Sequence, residues 1–285
     1  MNGVHSCFMR RSAEEYSGYD GTRMYMVSWH PDDHPRAVVI AIHGLGSHAD
    51  TLEKIGEAFA KRGFVLFAPD MRGFGHFSGE KGHVNSFDEY VQDMERLISD
   101  LNLRYPGLKV FLVGHSLGGL HAVRYCMRHP DRVAGLVAVC PGVSEKLKVS
   151  RPTRMIVGLL SRLNLRKKFY DGIELDLVSR NSEYVQRLKN DPLRWDYVTA
   201  RFAAEGFGAR ERAFESAHLL KTPLLLQQSG DDMLVDPVQN EDFFRRVASQ
   251  DKTFRSYPGL YHEPFEEAGG QQMIDDMVAW VEART

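Results

Sequence analysis

Residues 109–125, KVFLVGHSLGGLHAVRY, decide the fold of this chain. They begin with an apolar run typical of a buried strand, turn sharply, and continue with apolar residues at helical spacing. A serine at such a turn is the context of a nucleophile elbow. Such a turn requires glycine at Gly114 and Gly118, because a side chain at either position would collide with the neighbouring strand or helix. The turn then presents the hydroxyl of Ser116 at the carboxyl end of a parallel sheet, with the backbone N–H of Leu117 beside it.

The motif G-x-S-x-G is weak evidence by itself. At average glycine and serine usage, roughly one chain in ten of this length contains it by chance. The alternative interpretation is an ordinary strand–helix turn that needs glycine. The partners of a catalytic serine must therefore be found elsewhere in the chain.

The composition excludes several classes of function. With 43% hydrophobic and 26% charged residues, the chain resembles an ordinary globular protein. A formal net charge of -2 provides no basic field for nucleic acid. Its three cysteines, Cys7, Cys126 and Cys140, have no metal-ligand spacing and suit a reducing compartment. The start lacks the apolar core of a signal peptide, and no run approaches membrane-spanning length, so we expect a cytoplasmic protein without stable membrane insertion.

Short apolar runs alternate with helical patterns, which is typical of a parallel sheet covered by helices on both faces. The predicted strands are residues 22–29, 37–42, 64–68, 110–113, 133–139, 224–228 and 253–257. No buried strand is predicted between residue 144 and about residue 220. Helical segments are predicted there instead, at residues 154–165, 182–189 and 193–204. One α/β domain is therefore expected to contain a helical insertion.

A serine nucleophile needs a base to take its proton and an acid to orient that base. The chain has 12 histidines, so the base must be chosen by position. His262 follows the last predicted strand, which places it at the same edge of the sheet as Ser116. The competing interpretation is a surface loop histidine. We expect His115 to turn away from the serine hydroxyl and His43 to support its own loop.

The acid should follow another strand. The segment SGDDMLVDP, residues 229–237, does so and offers three carboxylates. Asp232 is the preferred acid because the short turn places it near the strand end, with apolar Val235 anchoring the loop behind it. Asp236 precedes a proline and a helix, so it is better interpreted as an N-cap. Asp231 remains the competing candidate.

Catalysis also needs donors for the oxyanion that forms when an ester carbonyl is attacked. The loop HGLG, residues 43–46, closes a strand beside the elbow strand, and its glycines allow close backbone approach. The backbone N–H groups of Leu45 and Leu117 are the expected pair. A glycine-rich loop without a catalytic role is the alternative.

Together, GHSLGG, HGLG, Asp232 in SGDDMLVDP and His262 in YPGLYHE resemble the α/β-hydrolase fold with its order Ser, Asp, His. Over most of its length the chain resembles monoacylglycerol lipases and lysophospholipase-like serine hydrolases. The resemblance implies a mostly parallel sheet flanked by helices, with a helical cap inserted after the sixth strand. It implies a core of residues 1–143 and 221–285 and a cap of residues 144–220. No metal and no organic cofactor are implied.

One loop departs from the family pattern. The family usually reads R-G-H-G-x-S, whereas this chain has RGFGHFS at residues 72–78. Phe74 replaces the histidine, and an extra residue precedes Ser78. No contact of this loop is carried over from the family.

The segment at residues 154–165 carries a broad apolar stripe. It is either a helix packed on the body of the protein or, as the resemblance favours, a lid over an acyl tunnel that makes transient contact with lipid surfaces. In the second interpretation the candidate substrate-binding residues are Ile156, Leu159, Leu160 and Leu163. Four aromatic residues are further candidates for the same cavity: Phe169, Phe202, Phe207 and Phe214.

These observations predict a serine carboxylic ester hydrolase that cleaves a single-chain acyl ester, with monoacylglycerol as the leading substrate. The alternatives are a lysophospholipase or short-chain esterase with the same triad, and a binding protein without activity. Because an unperturbed imidazole titrates near pH 6.5, activity is expected to fall below roughly pH 6.

Overall fold

The computed structural model describes residues 10–144, 146, 149–163 and 165–285, so Cys7 lies outside the described residues. The strands are β1 (Arg10–Ser17), β2 (Arg23–His30), β3 (Val38–Ile42), β4 (Val65–Pro69), β5 (Val110–His115), β6 (Gly135–Val139), β7 (Lys168–Tyr170), β8 (Tyr197–Thr199), β9 (Leu224–Ser229) and β10 (Lys252–Tyr257). The helices are α1 (Glu53–Lys61), α2 (Asp88–Arg104), α3 (Leu117–Arg128), α4 (Arg151–Arg162), α5 (Ser182–Lys189), α6 (Ala200–Glu215), α7 (Pro237–Arg246) and α8 (Gly270–Glu282).

Eight strands form one sheet in the order β1-β2-β4-β3-β5-β6-β9-β10. The pairs β1–β2 and β2–β4 are antiparallel, and every other neighbouring pair is parallel. This is the α/β-hydrolase fold, and the predicted fold class is confirmed. The carboxyl ends of the parallel strands meet at one edge of the sheet, where their loops converge.

Both faces of the sheet are covered, because side chains alternate along each central strand. In β3, Val38 and Ile40 pack on the side of α2 and α3, whereas Val39 and Ala41 pack on the side of α1 and α8. All five residues of β3 are buried. The continuous apolar runs that predicted the strands are therefore explained by burial on both faces.

Strand β1 was not predicted from the sequence. Its residues, RRSAEEYS, offer no apolar face, and they alternate between exposed and half-buried. The strand lies at the edge of the sheet and pairs only with β2. Backbone pairing with β2 holds the strand in place, with Tyr16 packed against the core, and its otherwise polar composition does not reveal such a strand.

The chain between β6 and β9 leaves the sheet and returns to it, because these two strands are hydrogen-bonded neighbours. We call residues 144–220 the insertion. It contains α4, α5, α6 and a two-stranded sheet of β7 and β8. Helix α5 has the predicted bounds.

The helix predicted at residues 193–204 is wrong for residues 193–199 and confirmed for residues 200–204. Residues 197–199 form β8, which pairs with β7, and the Thr199 side chain then caps α6 by accepting from the N–H of Phe202 at 3.2 Å. The cap places the start of the helix at Ala200 and lets it continue to Glu215.

Among the described residues, helices that combine the length and the apolar character needed to cross a membrane are absent.

Candidate active site

The turn between β5 and α3 has the strained geometry that its sequence predicts. Ser116 has φ 53° and ψ -117°, a region that residues other than glycine rarely adopt. A Cβ on Gly114 would lie 2.6 Å from the carbonyl oxygen of Gly118, and a Cβ on Gly118 would collide with the carbonyl of Ile42 in β3. The two glycines are therefore required by the close approach of strand and helix.

His262 lies directly against the elbow serine. Its Nε2 is 2.8 Å from the Oγ of Ser116. The residue is buried and belongs to the loop that follows β10. Its backbone carbonyl accepts a hydrogen bond from the Nε2 of His115 at 2.9 Å. His115 thus turns away from the hydroxyl and holds the loop that carries His262.

Asp232 contacts the other side of the imidazole. Its Oδ2 is 2.8 Å from the Nδ1 of His262. Its Oδ1 accepts hydrogen bonds from the backbone N–H groups of Leu234 at 2.8 Å and Val235 at 3.0 Å. The carboxylate is fully buried, and these bonds fix its orientation. Ser116, His262 and Asp232 therefore form one continuous chain of hydrogen bonds.

The two other carboxylates of this loop lie elsewhere. Asp231 is half exposed and pairs with Arg180 at 2.7 Å. Asp236 precedes α7 and accepts from the N–H of Val238 at 3.0 Å, which is the geometry of an N-cap. Neither side chain is a hydrogen-bond partner of His262 among the described residues.

The charges of the site shift the pKa of each partner. Burial alone would lower the pKa of His262, but the charge and hydrogen bond of Asp232, with the charge of Glu263, raise it above 6.5. Burial would raise the pKa of Asp232, but His262 and the two backbone N–H groups lower it. The pair is thus arranged so that Asp232 stays ionised and stabilises a proton on His262.

The two predicted oxyanion donors lie at the cavity beside Ser116. Leu45 and Leu117 both line it. Leu117 is the first residue of α3, so its N–H has no partner within the helix. Gly44 precedes Leu45, and a Cβ on Gly44 would approach the Cβ of Ser116 to 3.4 Å. The HGLG loop therefore runs close to the elbow, and both predicted donor residues border the cavity beside Ser116.

A cavity of about 410 Å³ opens beside Ser116 and His262. Its walls come from the elbow, from the loop after β9 and mainly from the insertion. Three of the four aromatic candidates, Phe169, Phe202 and Phe207, line it. Phe214 does not, because its ring packs near Phe243, with 6.3 Å between ring centroids. The lining is predominantly apolar, as an acyl chain requires.

The predicted substrate-binding residues on α4 need correction. Ile156, Leu159, Leu160 and Leu163 are absent from the cavity lining, although the same helix contributes Thr153 and Val157. Ile156, Leu159 and Leu163 are 60%, 59% and 61% exposed, and Leu160 is half-buried. Only Val157 of the apolar stripe therefore meets the cavity, and most of the stripe faces solvent.

Sequence reasoning missed polar residues around the site. Asp171 lines the cavity, and burial raises its pKa to about 6. Under Asp232, the Nδ2 of Asn240 donates to the Oε1 of Gln228 at 2.7 Å, and the Oγ of Ser144 donates to Asn240 at 2.6 Å. These residues are far apart in sequence and belong to no motif, so nothing in the sequence alone identified them.

In the loop that departs from the family pattern, residues 72–78, an aromatic ring packs where the family has a histidine. Phe74 is fully buried, and its ring packs edge-on against His43 in the body and Phe202 in the insertion. The Nε2 of His43 accepts from the N–H of Met71 at 2.9 Å, so His43 supports its neighbouring loop. An aromatic contact between body and insertion therefore occupies the position of the family's histidine.

One group of three potential metal ligands occurs among the described residues, namely Cys140, Asp232 and His262, with ligand atoms within 4.8 Å. Burial raises the pKa of the Cys140 thiol well above its usual range, and a neutral thiol is a poor ligand. The Nδ1 of His262 is already bonded to Asp232. This chemistry suits a hydrogen-bonded triad better than a metal site.

The fold and these residues define an α/β hydrolase with a serine at its elbow. The chain belongs to the Hydrolase_4 family, described as serine aminopeptidase S33, which matches residues 33–269. It is an ester hydrolase that resembles monoacylglycerol lipases.

Two named proteins of similar sequence and one solved structure agree with that assignment. A monoacylglycerol lipase of Mycolicibacterium smegmatis is 30% identical over 272 residues, covering 95% of this chain and 97% of that protein. Phospholipase YtpA of Bacillus subtilis is 32% identical over 238 residues, covering 82% and 91%. The crystal structure of a Paleococcus ferrophilus monoacylglycerol lipase superposes with a TM-score of 0.83 and 29% identity, covering 97% and 99%.

Proposed function

We propose that this chain hydrolyses a single-chain acyl ester, with monoacylglycerol as the leading substrate, and that Ser116, His262 and Asp232 are its catalytic triad. The observation that carries the proposal is the unbroken hydrogen-bond chain of these three residues, which ends at an apolar cavity of about 410 Å³. The relatives named monoacylglycerol lipase support the choice of substrate.

In the first half of the reaction, the Oγ of Ser116 attacks the ester carbonyl while the Nε2 of His262 takes the hydroxyl proton. The carbonyl oxygen becomes an oxyanion, which accepts hydrogen bonds from the N–H groups of Leu45 and Leu117. The tetrahedral intermediate then collapses. The C–O bond to the alcohol breaks, and His262 gives its proton to the leaving oxygen.

In the second half, water enters and His262 takes one of its protons as the hydroxide forms a bond to the acyl carbon. Collapse of this second intermediate breaks the bond to Ser116, and the proton returns to the serine oxygen. Asp232 stays ionised and stabilises the imidazolium in both halves. No redox partner is needed, and we propose that no metal or organic cofactor takes part.

The insertion, residues 144–220, acts in this proposal as a cap that builds the acyl site. Phe169, Phe202 and Phe207 come from it, whereas the body supplies the reacting groups. The exposed stripe of α4, with Ile156 and Leu159, is then available for transient contact with a lipid surface. A membrane surface is the partner that we propose for this stripe, because long-chain acyl esters partition into lipid.

A lysophospholipase is the second candidate, and the similarity to a phospholipase of Bacillus subtilis favours it. A short-chain esterase with the same triad, or a protein that binds an acyl ligand without cleaving it, remains an alternative. We propose a reducing compartment such as the cytoplasm, because Cys126 and Cys140 are free and buried.

A substrate panel tests the proposal. Turnover is compared for monoacylglycerols, lysophospholipids and p-nitrophenyl esters of graded chain length, and a fluorophosphonate probe reports the reactive serine. We expect monoacylglycerol to be cleaved with the highest kcat/KM, and Ser116→Ala to lose both labelling and activity while staying folded. A higher kcat/KM for lysophospholipid selects the second candidate. A wild-type chain that neither labels nor cleaves any ester rejects both.

A further inference from the structure

The loop that carries the proposed base is fastened to the insertion. Residues 261–263 form the part of this loop around the imidazole. The N–H of Tyr261 donates to the Oε2 of Glu267 at 3.1 Å. The N–H of Glu263 donates to the carbonyl of Val178, in the insertion, at 2.7 Å. Backbone anchors on both sides of the base therefore set where its ring can lie.

The carboxylate of Glu267 accepts hydrogen bonds from the loop and from the insertion together. While its Oε2 holds Tyr261, its Oε1 accepts from the Oγ of Ser179 at 3.0 Å and from the backbone N–H of Arg180. The carboxylate group offers two accepting oxygens to these three donors, whereas an amide offers one accepting oxygen and an alanine none. Glu267 is thus a junction between two parts of the chain that are distant in sequence.

Further contacts make the segment at residues 178–181 a strap across this loop. The guanidinium of Arg180 lies 4.5 Å from the centroid of the Tyr261 ring. The Nδ2 of Asn181 donates to the carbonyl of Glu266 at 2.8 Å. The strap therefore contacts the loop at more than one point, and the Glu267 side chain accepts hydrogen bonds from the backbone of both the strap and the loop.

We propose that Glu267 is a positioning residue that couples the insertion to the base, so that the strap holds His262 within reach of Ser116 and Asp232. The inference rests on the proposed function, because it takes His262 to be the base. The coupling matters because misplacement of a catalytic group by about 1 Å can cost about 100-fold in rate.

Two substitutions of Glu267 weaken the coupling between insertion and base to different extents. Glu267→Gln keeps the size of the side chain but loses acceptors, and Glu267→Ala loses all of them. We expect kcat on a soluble p-nitrophenyl ester to fall about tenfold in the first variant and about 100-fold in the second. KM should stay within about threefold, because Glu267 is absent from the described lining of the cavity.

A second readout separates positioning from general support of the fold. Among the described residues, the titratable groups that face His262 are Asp232, Glu263, His115 and Cys140. If the loop loosens, the bond to Asp232 weakens and the pKa of His262 falls, so the acid limb of kcat/KM moves to lower pH. NMR titration of the imidazole measures the same shift without requiring turnover.

Glu266→Gln is the matched control. It removes the same charge one residue away. In the described part of the chain, the Glu266 side chain pairs with Lys54 at 3.0 Å and Arg187 at 2.9 Å and has no bond to the backbone of residues 261–263. We expect its kcat and the pKa of His262 to stay near the wild-type values, and thermal unfolding of all variants shows that they are folded.

The proposal is overturned if Glu267→Gln retains wild-type kcat and the wild-type pKa of His262, or if Glu266→Gln loses as much activity. It is also overturned if the Glu267 variants lose only thermal stability. If the wild-type chain cleaves no ester, the proposed function fails. The NMR titration then decides the coupling by itself, since a shifted imidazole in Glu267→Gln supports it and an unshifted one rejects it.

Discussion

Asp231 and Asp232 show how the surroundings of a residue decide what it can do. The two carboxylates are adjacent in the chain, but one is half exposed beside Arg180 and the other is fully buried against His262. Both residues lie in the turn after β9, which points the Asp232 side chain at the imidazole and the Asp231 side chain at Arg180. The same replacement of aspartate by asparagine is therefore expected to reduce kcat much more at Asp232 than at Asp231.

Asp232→Asn should lower kcat on the order of ten-thousand-fold, because an amide at this position favours the wrong tautomer of His262. Asp231→Asn should change kcat by less than about tenfold, because its ion pair with Arg180 is exposed. Both variants are measured on one soluble ester, and the assignment fails if the large loss follows Asp231.

The pH dependence follows from the raised pKa of His262. The neutral imidazole is the base, so kcat/KM should fall as the pH drops through that pKa, and the midpoint should lie above 6.5. The sequence alone gave an expectation near pH 6, because it contains no measure of the nearby charge of Asp232. A pH profile of kcat/KM checks the shift, with Ser116→Ala as the blank for uncatalysed hydrolysis. A midpoint at or below 6.5 contradicts it.

At the scale of elements, the elbow depends on the contact between α3 and β3. A methyl group on Gly118 would collide with backbone carbonyls of Ile42 and His43, which cannot move without displacing the strand. Gly118→Ala should therefore lower the free energy of unfolding by about 1–3 kcal/mol. It should also reduce activity, because Leu117 and its N–H would move with the helix.

Gly158→Ala is the matched control for that experiment. Gly158 lies inside α4, and a Cβ there meets no described atom within 4 Å. Replacing a glycine inside a helix by alanine stabilises it by roughly 0.5–1 kcal/mol. Chemical denaturation of the two variants should thus give shifts of opposite sign. Equal losses in both would contradict the steric explanation.

The same helix shows what sequence could and could not predict. Periodicity indicated an apolar stripe on α4, and the stripe exists, but periodicity does not say whether a face meets a cavity or solvent. The elbow, Asp232 and His262 were identifiable because local motifs place each one at the end of a strand. Strand β8 and the Asn240 network depend on pairing between distant segments, which no local pattern contains.

For the whole molecule, the exposed stripe of α4 predicts interfacial behaviour. The double variant Ile156→Ser, Leu159→Ser should bind lipid vesicles roughly tenfold or more weakly, because full burial of each side chain in lipid supplies about 1.5–3 kcal/mol. Hydrolysis of a soluble ester should be unchanged, because neither residue lines the cavity.

Leu103→Ser is the control for the lipid experiment. Leu103 is 84% exposed on α2, in the body of the protein, and it is also changed from an apolar to a polar side chain. Vesicle sedimentation is measured for all three proteins. Equal loss of binding in the control, or no loss in the double variant, rejects α4 as the contact.

The adjacency of β6 and β9 has a consequence for building chimaeras of this protein. Since the two strands pair directly, the sheet closes whether the polypeptide between them is long or short. An acyl site from another hydrolase could therefore be grafted at this joint without redesigning the scaffold. The graft would retain turnover only if the donor segment brought its own version of residues 178–181, or if those four residues of the recipient were left in place.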